Sequence, residues 1–353
     1  MSLPRFGPTA AAVLGDVEWS GGTAVCIPDA TRPLDPVPAL EALRPHIRGH
    51  LQVVVGLGLH RRMTAPELSA LAAWSPLQHN PDDTVSTGSF DGIPGGVFRP
   101  VAQCQQAIGV GVVELHQYAG VSGGHKAVSV GCGARATIAA LHVRERVLAT
   151  GVGVGQVDGN PFRTAVDALG EAAGCTHALV WISDLGEWGF GTPRELVRAA
   201  AARLSPWTTV HKRYNRVRID IPAAKAHTLY QASRGATYLT ASPSPPLRPG
   251  ARIQLVAPLE QGLGDEAGFV AALHSGPPPW SHLLSGPPPT GAGAQRAVML
   301  ALLARDYQLE IRGCADPEPF RRVGIPASPE LPADDAGLLH VPTPFSRLPQ
   351  LVG

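Results

Sequence analysis

Short apolar runs alternate with segments of helical periodicity through the first two-thirds of this chain, and that alternation constrains its fold more than any other feature. Such a pattern marks strand–helix–strand units, in which a parallel sheet is covered by its own crossover helices. Residues 23–28, 51–59, 107–115 and 177–182 read as buried strands. Helical patterns occupy 38–46, 65–74, 134–146, 162–173 and 193–204, while 78–100 reads as a long loop. At 353 residues the chain exceeds one ordinary core. Two α/β domains with mostly parallel sheets are expected, 1–213 and 214–334, with 335–353 rejoining the first and an active-site cleft between them. After a crossing segment at 206–222, the second domain is expected to hold helices at 223–234, 266–274 and 294–303. Its strands are expected at 236–241 and 252–256, and Pro-rich stretches at 242–249 and 276–289 read as stiff loops.

Charge and composition exclude several function classes. A formal net charge of +1, with both signs interspersed, gives no electrostatic footprint for nucleic acid or an anionic membrane. Five widely spaced cysteines without a Cys-x-x-Cys argue against a disulfide framework or a thiolate zinc site, and read as small core residues. No leader-like or membrane-length apolar run is visible, so a soluble cytoplasmic protein is expected.

The chemistry is concentrated where strands end. Asp29, His60 and His116 each fall at or just beyond the C-terminal end of an expected strand, the edge at which parallel sheets bind ligands. Only three of the 29 Lys and Arg residues are lysines, and one of them, Lys126, follows Ser122-Gly123-Gly124-His125. A lysine amine can become a nucleophile where a guanidinium cannot. Ser122-Gly123-Gly124 reads either as an ordinary turn or as a backbone nest for a phosphate. His60 and His116 read singly as structural histidines and together as an acid/base pair. His142 is a core residue, or a lone metal ligand whose partners come from a cofactor. Asp29-Ala30-Thr31-Arg32-Pro33 is a helix cap, or a site where Asp29 binds a ribose hydroxyl and Arg32 a carboxylate. Further along, Gln231 and Arg234 share a helical face beside Tyr230.

In this order the residues resemble the nickel-pincer-nucleotide lactate racemase family. The resemblance rests on Asp29-x-Thr31-Arg32-Pro33, Gly58-x-His60-Arg61, His116 ten residues before Lys126 in Ala-Gly-x-Ser-Gly-Gly-x-Lys, His142 sixteen residues after it, Gly159-Asn160-Pro161, and Leu229-Tyr230-Gln231. It implies a racemase or epimerase acting at C2 of a 2-hydroxy acid, through a nickel-pincer nucleotide tethered to Lys126 with His142 as nickel ligand. His60 and His116 would alternate as base and acid. Asp29, Ser122, Gly123 and Gly124 would contact the cofactor, and Arg32, Tyr230, Gln231, Arg234 and Trp280 the substrate. Separate maturation enzymes would have to build the cofactor. Three positions depart from the family pattern: Ala30 for a usual His, His125 for a usual Arg, and Arg234 for a common Lys. The departures at Ala30 and His125 leave room for a rival, a non-catalytic nucleotide- or anion-binding protein. A third reading is a Schiff-base enzyme using Lys126.

Overall fold

The structure is a computed structural model that describes residues 3–204, 206–333, 335 and 337–352. It is mixed α/β and divides into two compact units. The first takes in the described residues up to His142 and from Ala149 to Leu204; the second takes in Val143–Leu148 and the described residues after Leu204.

The first unit is built on a seven-stranded sheet. Its strand order is Arg5–Gly7, Glu187–Gly191, Cys175–Ile182, Gln106–Val113, Thr23–Pro28, Leu51–Gly56, Leu77–Gln78. The last five run parallel, and Glu187–Gly191 is antiparallel to both its neighbours. Both faces are buried, as continuous apolar strands require. Val25, Ile27, Val53, Val55, Ile108 and Val110 pack on one side with Leu40 and Leu43 of the helix Val37–Leu43. Ala24, Cys26, Val54, Ala107 and Cys175 pack on the other with Val128 and Cys132. From Thr23–Pro28 the chain steps outward to Leu51–Gly56 and Leu77–Gln78. It then returns to the opposite neighbour, Gln106–Val113, and steps on to Cys175–Ile182. The order therefore reverses between Thr23–Pro28 and Gln106–Val113, and a crevice opens beyond their C-terminal ends because the crossovers leave in opposite directions.

The stretch expected to be a loop, 78–100, holds an antiparallel hairpin, Thr84–Phe90 with Ile93–Phe98. Asp91 and Gly92 both have positive φ, 49° and 72°, the two-residue turn that Asp-Gly favours. Glycines and a proline in the second strand hide its periodicity, so the turn was the legible signal. The hairpin braces the chain ahead of His142: Phe98 N–H donates to the Cys132 carbonyl at 2.8 Å, and Ala134 N–H to Gly96 at 2.9 Å. The helix expected over 134–146 is broken at His142. Arg135–Leu141 ends with His142 as its cap (φ −102°, ψ 17°), and Arg144–Val147 is a separate turn.

In the second unit a five-stranded, all-parallel sheet has the order Ala327–Ser328, Gln308–Arg312, Leu247–Val256, Tyr214–Asp220, Leu339–Val341. The expected strand at 236–241 is helical. Thr228 accepts the Gln231 N–H at 3.2 Å, and the helix it caps runs Leu229–Thr240 with Leu229, Ala232, Ala236 and Leu239 buried. Helical spacing of small and apolar residues there outweighs the β-branched character of Thr237 and Thr240. The crossing segment contains the strand Tyr214–Asp220, and Gln308–Arg312 is a further strand the polar sequence concealed. The boundary falls after Leu204, ahead of the expected 213. The tail stays in the second unit, since Leu339–Val341 pairs with Tyr214–Asp220 and Leu348–Leu351 with Trp207–Val210. Among the described residues no helix is long and apolar enough to cross a membrane.

A buried histidine in the first unit sets a pH dependence. His79, 1% exposed, donates from Nε2 to the Gly133 carbonyl at 2.9 Å and packs edge-on against Phe98. Burial pushes its pKa down to about 4, against about 6.5 when unfolded. Below about 6.5 the unfolded chain takes up a proton that the folded chain refuses, so stability falls as pH drops toward 4, by on the order of 3 kcal/mol. Denaturant unfolding of the first unit should show that fall, and His79→Gln should flatten it; an equally steep fall in the variant would assign the loss to other groups.

Candidate active site

Three functional side chains stand on ends of strands that adjoin or form the switch point. Asp29 follows Thr23–Pro28 and is 7% exposed. One carboxylate oxygen accepts the Thr31 N–H at 3.1 Å and the Thr31 hydroxyl at 2.5 Å, a turn closed by the aspartate's own side chain and not a helix cap. The other oxygen lies 2.7 Å from His60 Nδ1. Burial alone would raise this carboxyl. The hydrogen bond and charge of His60, the Thr31 hydroxyl and the nearby Arg32 guanidinium outweigh it and hold the pKa at about 2. Asp29 is therefore ionised at neutral pH and accepts the His60 Nδ1 proton, which leaves the lone pair of His60 on Nε2. The sequence offered Asp29 as a ribose ligand; in the structure both its oxygens are engaged by Thr31 and His60. His60 itself follows Leu51–Gly56, with its N–H on the Leu57 carbonyl at 2.9 Å.

His116 sits in a two-residue ladder with Gly120–Val121, just beyond Gln106–Val113. Its Nδ1 accepts two backbone N–H groups, from Tyr118 at 3.2 Å and Ala119 at 3.1 Å. Its ring contacts Tyr118, which contacts His142 in turn.

The segment Ser122-Gly123-Gly124-His125-Lys126 is held from beneath. Ser122 donates its hydroxyl to Val112 at 2.6 Å and accepts the Glu114 N–H at 3.0 Å, and its own N–H goes to the Glu114 carbonyl. Ser122 is thus committed to the strand end. Gly123 and Gly124 have φ of 88° and 65°, a path that side chains with a Cβ rarely adopt. The carbonyls of Val121 and Gly123 accept from the buried Arg163 guanidinium at 3.2 Å each. Because a peptide plane is trans, the Gly124 N–H points away from Arg163. Lys126 opens the short helix Lys126–Ser129.

Arg163 belongs to the helix Pro161–Ala172, whose cap Asn160 accepts the Arg163 N–H at 3.0 Å and donates to the Tyr118 carbonyl at 2.7 Å. One turn on, Asp167 pairs with Arg163 at 3.2 Å and with His125 Nδ1 at 3.1 Å. Burial would raise Asp167 and does lower Arg163; the His125 hydrogen bond and the Arg163 charge bring Asp167 below its ordinary value. Sequence reasoning missed Arg163 and Asp167. The cue was Asn160-Pro161, a cap with proline at the first helical position, from which residues three and seven places on share one face.

His142 donates from Nδ1 to the Ile138 carbonyl at 2.8 Å, so its lone pair is on Nε2, and its ring packs on Tyr118 and Phe162. A histidine fixed through Nδ1 to a carbonyl is prepared to bind a metal through Nε2. No group of three or more His, Cys, Asp or Glu among the described residues could hold a metal. A metal at His142 would bring most of its donors with it, and a nucleotide that supplies sulfur and carbon donors fits that requirement.

In the second unit, Tyr230 is 6% exposed, with the Arg234 and Arg296 guanidinium carbons 5.8 and 5.6 Å from its ring centre. Arg234 Nε is buried without a hydrogen-bond partner among the described residues. Gln231 is half-buried on the same helix. Trp280 is enclosed in the interior of the unit, its indole N–H on the Leu273 carbonyl at 3.2 Å.

Residues 17–151 match the family model described as the lactate racemase N-terminal domain. The structure of the lactate racemase apoprotein from Thermoanaerobacterium thermosaccharolyticum superposes with a TM-score of 0.85 at 16% identity, covering 99% of this chain and 95% of that one. A structural-genomics protein from Thermotoga maritima superposes with a TM-score of 0.74 at 15% identity, covering 96% of each chain. No curated protein matches the sequence. Residues 17–151 thus match a lactate racemase N-terminal domain, and the chain has the fold of the lactate racemase apoprotein.

Proposed function

We infer that this chain is a nickel-dependent racemase or epimerase that inverts C2 of a 2-hydroxy acid. The observation that carries the reading is the matched fixing of two imidazoles. The Nδ1 proton of His60 is held by an ionised carboxylate and that of His142 by a helix carbonyl, so one ring offers a base and the other a metal ligand. When bound, a nickel-pincer nucleotide supplies a group that takes and returns a hydride at C2. Lys126 is the proposed covalent tether, His142 the nickel ligand through Nε2, and the Gly123-Gly124 backbone the contact for its phosphate. His60 removes the hydroxyl proton, and the resulting imidazolium is stabilised by Asp29. His116 is assigned to the substrate oxygen. Arg32, and on the second unit Gln231 and Arg234 with Tyr230, are assigned to the substrate carboxylate by their donor chemistry. The departure at His125 is absorbed by Asp167, which removes one of the two grounds for a non-catalytic binder.

Protein from a host that makes the cofactor should carry stoichiometric nickel and a mass increment on Lys126, and should interconvert the hands of at least one member of an enantiopure 2-hydroxy acid panel. Lys126→Ala should abolish the increment and His142→Ala the nickel. Nickel without conversion of any panel member would favour the binder.

Asp29→Asn cannot hold an imidazolium and leaves the His60 tautomer unfixed. It should lower kcat by on the order of 10²- to 10⁴-fold while substrate KM changes little. Because the Asp29 carboxyl sits at about 2, the acid limb of the wild-type pH profile should not report it; a variant with wild-type kcat would remove Asp29 from the mechanism.

A further inference from the structure

The helix Pro161–Ala172 and its cap hold the stretch from Tyr118 to His125 at four places. Asn160 donates to the Tyr118 carbonyl at 2.7 Å, and Arg163 to the carbonyls of Val121 and Gly123 at 3.2 Å each. Asp167 meets His125 Nδ1 at 3.1 Å. These three side chains follow one another at spacings of three and four, so one helical face sets the whole path. The other edge of that path is unpaired. Gly123, Gly124 and His125 are buried, and their three consecutive N–H groups enter no hydrogen bond among the described residues. Buried amides need an acceptor, and successive amides without one form a receptor for an anion. The two edges are linked at Gly124, whose N–H is trans to the Gly123 carbonyl that Arg163 grips. The turn is also closely packed from below. A Cβ on Gly124 would lie 2.6 Å from Val197 Cγ2 and 2.9 Å from Arg163 Nη2.

We propose that Arg163 is the positioning residue of a phosphate receptor. By holding the carbonyls of Val121 and Gly123 it presents the amides of Gly123, Gly124 and His125 to a phosphate monoester. The inference rests on the racemase reading above only for the natural ligand, a mononucleotide cofactor. Arg163 acts through the backbone and not on the ligand, since the Gly123–Gly124 peptide lies between its guanidinium and the Gly124 N–H. Asp167 has two tasks. It meets Arg163 Nε at 3.2 Å and so orients the guanidinium, and it accepts from His125 Nδ1, which pins the far end of the turn. A buried ion pair is a costly way to brace a loop, because apolar side chains of similar size are often as stable. Apolar side chains cannot supply a planar donor that spans two carbonyls. The pair is therefore accounted for by the turn it shapes, and its loss should be felt in anion binding more than in stability.

The test uses the full-length apoprotein and needs no nickel. Backbone ¹⁵N–¹H spectra are followed while inorganic phosphate, adenosine monophosphate or adenosine is added. The amides of Gly123, Gly124 and His125 should move downfield and saturate with both phosphates, and stay in place with adenosine. Two variants then isolate Arg163. Arg163→Lys keeps the charge and a partner for Asp167 but cannot span two carbonyls. Arg163→Met combined with Asp167→Asn removes both charges and leaves His125 an acceptor, so thermal unfolding should stay close to that of wild type. Each should bind phosphate about tenfold or more weakly. A smaller loss in either folded variant would overturn the inference, as would wild-type amides that ignore both phosphates. Nickel content and conversion of the 2-hydroxy acid panel are read separately. Protein that passes this test but never acquires nickel in a competent host keeps the receptor and loses the racemase reading. Active, nickel-bearing enzyme whose apoprotein amides do not respond does the reverse.

Discussion

The site depends on one pairing, the parallel register of Thr23–Pro28 against Gln106–Val113. These two strands are neighbours in space and 83 residues apart in sequence at the pair Thr23 and Gln106, so forming the ladder closes a long loop before it returns any hydrogen bonds. Once formed, it directs one crossover each way and leaves the two C-terminal ends open. Asp29 stands at one end and the ladder bearing His116 at the other, with His60 one strand further on. A register shift of one residue on Thr23–Pro28 would exchange its two buried faces and turn Asp29 away from His60. The apolar contacts that fix the register and the hydrogen bond that fixes the His60 ring are for that reason one requirement.

Beneath the Ser122–Lys126 segment the structure accepts a cost. Arg163 and Asp167 are both buried, and Arg163 falls below its ordinary value because Asp167 does not fully offset its loss of water. Two methyl-rich side chains of similar size would often be as stable. What they would lack is direction. A guanidinium spreads donors in a plane, and here they reach the carbonyls of Val121 and Gly123 while Asp167 holds both Arg163 and His125. The segment is thereby fixed by its carbonyls. His125 fits because Gly170 of the same helix leaves room: a Cβ there would lie 2.5 Å from His125 Cβ. The His125 ring fills this space and reaches the Asp167 carboxylate.

Much of this was legible in the sequence, for reasons that differ by element. The strands at 23–28, 51–59, 107–115 and 177–182 could be read because buried parallel strands are continuous apolar runs, and the ends of the first three located Asp29, His60 and His116. The hairpin at Thr84–Phe90 and Ile93–Phe98 was obscured by its glycines although Asp91-Gly92 marked its turn. Tyr214–Asp220 and Gln308–Arg312 were obscured because one face of each is charged: Arg218 pairs with Asp220 and Arg312 with Glu310. The break of the helix at His142 carries no proline or glycine to announce it. Arg163 and Asp167 looked like the polar side of an amphipathic helix, and only the fold shows that side to be enclosed.

Tautomers lie beyond any sequence pattern, since the three histidines are the same letter and differ only in what the backbone offers to Nδ1. The reason for the difference is local. In the last turn of Arg135–Leu141 the Ile138 carbonyl accepts both the backbone N–H of His142 at 3.2 Å and its Nδ1 proton at 2.8 Å. A tight reversal such as 117–119 turns amide N–H groups inward, and His116 at its entrance meets two. Backbone geometry thus assigns the lone pair in one ring to Nε2 and in the other to Nδ1. Moving either histidine by one residue would exchange its partner and with it the chemistry available at the outward nitrogen. Which nitrogen His142 and His116 each present outward therefore follows from where the ring meets the main chain.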